Sequence, residues 1–85
     1  MENREYAFIV EFSYHVKDEK FVVKFLDNNS YILKLSDLPK NMLTKKPNWE
    51  LTTISKDHSR LLIPIGKKKE RSIPFNIIHS KGIAI

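Results

Sequence analysis

The sequence predicts one α+β domain, spanning residues 1–85 and dominated by an antiparallel sheet of about five strands with one or two short helices. Large apolar and aromatic side chains recur at every second position in several segments, and this period is that of a β-strand. Clusters of Asp, Asn, Ser and Lys separate these segments, as hairpin turns do. A chain of 85 residues is long enough for one domain with a modest core.

The first strand is predicted within Glu5–Val16, where six large side chains alternate along one face. They are Tyr6, Phe8, Val10, Phe12, Tyr14 and Val16. The opposite face is apolar at Ala7 and Ile9 and polar from Glu11 onwards. Six large side chains need a core to enter, so we expect a long strand at the centre of the sheet.

Two more strands are predicted at Phe21–Leu26 and Tyr31–Leu35. The segment between them is Asp27–Ser30, which contains two asparagines. Asn and Asp tolerate the left-handed backbone conformation and hydrogen-bond to their own backbone, which favours a tight hairpin. The first three strands are therefore expected to form an antiparallel meander.

The second half of the chain predicts a short helical connector within Ser36–Leu43, followed by a second hairpin. Its strands are expected at Trp49–Ile54 and Arg60–Ile65, joined by the polar turn Lys56–Ser59. Pro64 has no N–H to donate, so its strand is expected at an edge of the sheet, or with that position facing outward.

The C-terminal region predicts a short helix within Ser72–His79, with Pro74 in its first turn and Gly82 just beyond its end. The apolar segment Ile83–Ile85 has three alternatives. It forms a last short strand, packs on the core as a tail, or adds a strand to a partner or to a second copy.

This arrangement resembles a small bacterial domain family of unknown function, built from paired β-hairpins and an aromatic–Pro step. The resemblance rests on Phe21-x-Val23-x-Phe25-x-Asp27, on Tyr31-x-Leu33-x-Leu35-Ser36-Asp37-Leu38 and on Ile63-Pro64, and it covers residues 6–66. The chain departs from the family at Asn28-Asn29, where a glycine turn is usual, and at Ile63, where tryptophan is usual. The resemblance implies a small α+β fold and no particular activity.

Composition restricts the environment and the chemistry of the protein. The chain has no cysteine, which excludes disulfides and thiolate metal sites. No apolar run reaches the roughly 18–20 residues that span a bilayer, and the charged N-terminus does not match a signal peptide. We expect a cytoplasmic protein that does not associate with a membrane.

The net charge of +5 is concentrated in the second half of the chain. Residues 1–39 hold five Lys or Arg and seven Asp or Glu, whereas residues 40–85 hold ten and three. This asymmetry predicts an anionic partner for the second half. The candidate binding residues are Lys45, Lys46, Trp49, Arg60, Lys67, Lys68, Lys69 and Arg71.

Catalytic and metal-binding motifs are missing from the sequence. The histidines, His15, His58 and His79, do not have metal-ligand spacing, and no nucleophile elbow or glycine-rich phosphate loop is present. We therefore expect a protein that is not an enzyme and that needs no metal or cofactor. A small ribonuclease using His58 and Arg60 is the least favoured alternative.

Two binding functions remain open from the sequence. The first is a regulatory module that acts through protein–protein contact, with its basic half facing an acidic partner and with a homodimer as a possible assembly. The second is sequence-tolerant nucleic-acid binding through the basic loops, because lysines neutralise phosphates and release counterions.

Overall fold

The computed structural model describes residues 5–42 and 47–85. Within them, seven strands form two antiparallel sheets. The strands are β1 (Ile9–His15), β2 (Lys20–Phe25), β3 (Ser30–Lys34), β4 (Thr53–Ile54), β5 (Arg60–Pro64), β6 (Glu70–Pro74) and β7 (Ile83–Ala84). The four-stranded sheet has the order β1-β2-β3-β7, and the three-stranded sheet has the order β4-β5-β6. The α-helix in this part of the chain is α1 (Phe75–Lys81).

The predicted class, an α+β domain made mostly of antiparallel sheet, is confirmed, but the strands divide differently from the prediction. We expected about five strands, whereas the described residues contain seven in two sheets. The segment Glu70–Pro74 adds a strand that pairs with β5, so the helix begins only at Phe75. The segment 65–69, which contains Lys67, Lys68 and Lys69, is consequently the turn of a hairpin.

The first strand differs from its prediction because it contains a β-bulge. Ile9 pairs with Phe25 and Glu11 pairs with Lys24, which leaves Val10 as an extra residue on β1. An extra residue reverses the alternation of a strand. Ile9 is therefore fully buried while Val10 is exposed, the opposite of the expected faces. β1 is also an edge strand of its sheet and not the central one.

Both sheets contribute to one hydrophobic core. Its largest fully buried side chains are Ile9, Phe21, Val23, Phe25, Leu33, Leu61, Ile63, Ile73 and Ile78. The predicted alternation holds in β2 and β3, where every second side chain enters this core. The inner face of the four-stranded sheet is thus covered by the core of the described residues.

The connectors are 3-10 turns where longer elements were predicted. The connector after β3 consists of Leu35–Asp37 and Lys40–Met42, and the segment expected to open a strand at Trp49 is the turn Trp49–Leu51. Leu43 lies outside the described residues. A further turn, Glu5–Ala7, precedes β1.

The C-terminal segment forms a short strand, the first of the three alternatives. Ile83 pairs with Ile32 and Ala84 pairs with Tyr31, which places β7 beside β3. Gly82 joins helix and strand, and its N–H donates to the Ile78 carbonyl at 2.8 Å. The side chains of Ile83 and Ile85 remain exposed, so this strand contributes backbone pairing and little core.

Candidate binding surfaces

The lysine tip is the turn between β5 and β6 that carries Lys67, Lys68 and Lys69. The turn is closed by the Ile65 N–H, which donates to the Lys69 carbonyl at 2.9 Å. Gly66 adopts a φ of +85°, a left-handed conformation that favours glycine. All three lysines are exposed, and none of them forms an ion pair with a described residue. The tip therefore presents three consecutive exposed lysines that form no ion pair with a described residue.

Trp49 lies close to the end of β5 that leads into the lysine tip, but its side chain packs inward. The neighbouring Asn48 N–H donates to the Pro64 carbonyl at 2.8 Å, which joins this segment to the end of β5. The indole meets Phe21 edge to face at 6.0 Å between ring centroids and is half-buried. Tyr14 also packs on Phe21, with 4.9 Å between ring centroids. Burial raises the pKa of Tyr14, and the carboxylates of Glu19 and Glu50 raise it further, so two acidic side chains lie near Tyr14.

The two predicted arginines are not on the lysine tip. Arg60 is exposed at the opposite end of β5, where it pairs with Pro74. That end lies about 13 Å from Pro64 at the usual rise of a strand. Arg71 pairs with Ile63, and its Nε is buried without a hydrogen-bond partner.

Lys45 and Lys46 lie outside the described residues. Among the predicted cationic residues that the structure describes, Lys67, Lys68 and Lys69 lie together on one turn.

His58, the candidate catalytic base, anchors one sheet to the other. Its Nδ1 lies 3.1 Å from the Ile9 carbonyl oxygen, which can only accept, so Nδ1 carries the proton of this hydrogen bond. The Ile9 N–H donates back to the His58 carbonyl at 2.7 Å. The imidazole also stacks on Phe8 with 4.4 Å between ring centroids. These contacts give His58 a structural role.

Asp57 organises the turn before β5. Its Oδ1 accepts hydrogen bonds from Ser55 Oγ at 2.6 Å, Ser59 Oγ at 2.8 Å and the Ser59 N–H at 3.1 Å. The hydrogen bonds from Ser55 and Ser59 hold the pKa of Asp57 well below its usual range. The carboxylate bonds the serines while His58 bonds a backbone carbonyl, so the three residue types do not form a Ser–His–Asp relay.

His79 is enclosed by aromatic rings. Its imidazole centroid lies 4.6 Å from that of Phe25, 4.7 Å from Tyr31, 5.8 Å from Phe75 and 6.2 Å from Tyr6. Its Nε2 is buried and has no hydrogen-bond partner. Burial lowers the pKa of His79, and the nearby Asp27 carboxylate opposes this shift only in part.

The outer face of the four-stranded sheet is a second cationic surface, which sequence reasoning missed. The register places its side chains in three rows that cross the strands. The rows are Glu11, Lys24 and Ser30, then Ser13, Val22, Ile32 and Ile83, then His15, Lys20 and Lys34. None of these side chains is buried.

This outer face combines an apolar middle row with lysines on both sides. Lys20 and Lys34 are direct cross-strand partners, a pairing of like charges that disfavours the sheet. Lys20 is 3.9 Å from Asp18, while Lys24 and Lys34 form no ion pair with a described residue. In the sequence, the alternation of Lys20, Val22 and Lys24 indicates that these three side chains share one face of β2. It identifies a cationic surface only once the register shows that this face points outward.

A concavity of about 240 Å³ lies on the first two rows of this face. It is lined by Glu11, Phe12, Ser13, Val22, Lys24 and Ser30.

In residues 5–42 and 47–85, no three His, Asp or Glu side chains group as metal ligands. No helix in the same residues is long and apolar enough to cross a membrane.

Comparison of the chain with protein-family models, with curated proteins and with solved structures finds no match. The resemblance to the bacterial domain family stays a prediction, and any function rests on the surfaces described above.

Proposed function

We propose that the protein is a non-catalytic binding module that engages an acidic region of a partner protein through its lysine tip. The observation that carries the proposal is the exposure of Lys67, Lys68 and Lys69 on one tight turn without ion-pair partners. Glu70 follows the three lysines and offsets one charge, so the tip keeps a net charge of about +2. Clustered charge of one sign steers an oppositely charged partner and suppresses wrong partners.

The distribution of aromatic side chains favours a protein partner over a nucleic acid. Proteins that bind single strands combine a basic groove with exposed rings on which bases stack. Among the described Phe, Tyr and Trp side chains, the exposed one is Tyr6, which packs beside Phe75 and His79 and not at the lysine tip. Trp49, which follows Asn48 beside the end of β5, is half-buried against Phe21. The lysine tip therefore supplies positive charge but no exposed ring on which a base can stack.

The test compares an acidic peptide with single-stranded RNA and DNA of equal net charge. We expect the peptide to bind at least as tightly as either nucleic acid, because rings that add stacking energy are not exposed at the tip. Binding should weaken as salt is raised, since exposed charges are screened. Fluorescence anisotropy at low and near-physiological salt measures both. RNA or DNA binding more than about tenfold tighter than the peptide would favour the nucleic-acid alternative.

A charge-matched variant pair assigns the binding to the tip. Lys67, Lys68 and Lys69 are replaced together by Glu, and Lys40, Lys56 and Lys81 are replaced together by Glu as the control. Both variants change the net charge equally, and all six lysines are exposed. We expect the tip variant to lose peptide binding and the control to keep most of it. An equal loss of peptide binding in both variants would mean that binding depends on net charge alone. That result would contradict binding at the lysine tip.

The ribonuclease alternative has its own measurement. His58 donates a hydrogen bond from its Nδ1 to the Ile9 carbonyl, which supports a structural role over that of a general base. We expect RNA to stay intact after long incubation with the purified protein. Hydrolysis that disappears in His58→Ala while the variant stays folded would refute the non-catalytic proposal.

A further inference from the structure

The outer face of the four-stranded sheet carries a pattern that the lysine tip does not have. Val22, Ile32 and Ile83 form an apolar row, with Ile83 53% exposed. Lysines lie on both sides of the row, Lys24 on one side and Lys20 with Lys34 on the other. We propose that this face binds an acidic amphipathic helix of a partner protein. The proposal does not depend on the lysine tip.

The spacing of the rows suits a helix. Lys20 and Lys24 are four residues apart on β2, which separates the two lysine rows by about 13 Å. An α-helix with its side chains is about 10–12 Å across. A helix lying along the apolar row therefore directs an apolar stripe to Val22 and Ile32, and the carboxylates on its two flanks reach the lysines. Charge complementarity is strongest at Lys20 and Lys34, because Glu11 lies opposite Lys24 on the other side of the row.

Other occupants fit the face less well. A second copy of the chain would bring lysines against lysines, since the face holds three lysines and one glutamate. A single-stranded nucleic acid would find no Phe, Tyr or Trp among the outward residues of the three rows, and Phe12, which lines the concavity, packs against the core. A partly exposed apolar row beside three lysines suits a helix that is both apolar and acidic.

The test uses an 18-residue helical peptide with a leucine stripe and glutamates on both flanks. A control peptide of the same composition has its leucines scattered around the helix. We expect the protein to bind the striped peptide about tenfold more tightly than the scattered one, because only the first places its leucines against the apolar row. Equal binding of the two peptides would overturn the proposal, since it would show attraction by charge alone.

Three protein variants locate the site. Lys20/Lys24/Lys34→Gln should weaken binding of the striped peptide about tenfold, the effect expected of three exposed ion pairs. Val22→Thr/Ile32→Thr should weaken it several-fold while keeping β-branched side chains in the strands. Lys67/Lys68/Lys69→Gln should change it by less than about twofold.

Circular dichroism and thermal unfolding show whether each variant is folded. If the triple variant unfolds, the single change at the exposed Lys34, Lys34→Glu, replaces it. Unchanged binding in the folded face variants would overturn the proposal, as would a loss confined to the tip variant. Tighter binding of a single-stranded DNA or of anionic phosphatidylserine vesicles than of the striped peptide would also overturn it.

Discussion

His79 ties the C-terminal helix to the four-stranded sheet through its aromatic surroundings. Neutral imidazole fits among the rings of Phe25, Tyr31 and Phe75, whereas the protonated form would be placed in a site with a buried and unpaired Nε2. The Asp27 carboxylate is the charged group that acts on it, and Tyr6 and Tyr31 are the other titratable groups in contact. The residue therefore couples protonation to the packing of α1.

The free energy of unfolding is expected to fall when the pH is lowered from 7.5 to 5. The folded pKa of His79 lies below that of the unfolded chain, about 6.5, so the unfolded state binds the proton first. Stability is complete above the unfolded pKa and declines as the pH falls through it toward the lower folded pKa. Urea unfolding at the two pH values should show a smaller difference in His79→Phe. His15→Gln, at an exposed site, is the control, and an unchanged pH dependence in His79→Phe contradicts this role.

Gly82 is required by lack of space and Gly66 by backbone conformation. A Cβ at Gly82 would collide with the Ile78 carbonyl oxygen and lie 3.2 Å from Tyr31 Cβ, whereas nothing lies within 4 Å of one at Gly66. We expect Gly82→Ala to lower the free energy of unfolding by about 1–3 kcal/mol through overpacking. Gly66→Asn should cost little, because Asn tolerates the left-handed conformation. Thermal or urea unfolding measures both, and a neutral Gly82→Ala would refute the close approach of helix and strand.

The bulge in β1 is the element-scale feature that periodicity could not predict. The alternation of large side chains from Tyr6 to Val16 is regular in the sequence, and no glycine or proline marks the extra residue. The reversal at Val10 coincides with Ile9, whose N–H and carbonyl are both bonded to His58. A tertiary contact 49 residues away in sequence therefore accompanies the reversal.

Ile9→Ala and Val10→Ala measure the consequence of the bulge. Ile9 is fully buried and Val10 is 38% exposed. We expect Ile9→Ala to lower the free energy of unfolding by about 2–5 kcal/mol, and Val10→Ala by well under 1 kcal/mol. Denaturant unfolding of the two variants decides the matter. A larger loss of stability in Val10→Ala than in Ile9→Ala would contradict the bulge and support the uninterrupted strand that the sequence predicts.

The elements that follow local rules were predictable, and those that depend on distant pairing were not. Alternation identified β2 and β3 and their buried faces, because both lie in a regular ladder. The strand β7 has only two residues and exists through its pairing with β3. β6 was predicted as the end of a charged loop, up to Arg71, and the start of a helix, from Ser72. Ser72 and Pro74 match a helix start, and the pairing with β5 is not visible locally.

At the scale of the molecule, the net charges of the two halves of the sequence indicated only one of the two cationic surfaces. The lysines of the tip were among the candidates because they lie in the basic half of the chain, for which an anionic partner is predicted. The lysines of the outer face belong to the half of the chain with net charge −2, and only the sheet register gathers them on one side. Arg60 and the lysine tip, adjacent in the predicted list, lie at opposite ends of β5.

The most direct measurement is NMR mapping of the isotope-labelled protein during titration with an acidic peptide. The account predicts that amide signals of Lys67, Lys68 and Lys69 shift in a saturable way that higher salt suppresses. A peptide with an apolar stripe should also shift signals of β2 and β3 on the outer face. Shifts centred on Arg60 and His58, or the absence of shifts at millimolar peptide where even weak binding of about −4 kcal/mol is visible, would contradict it.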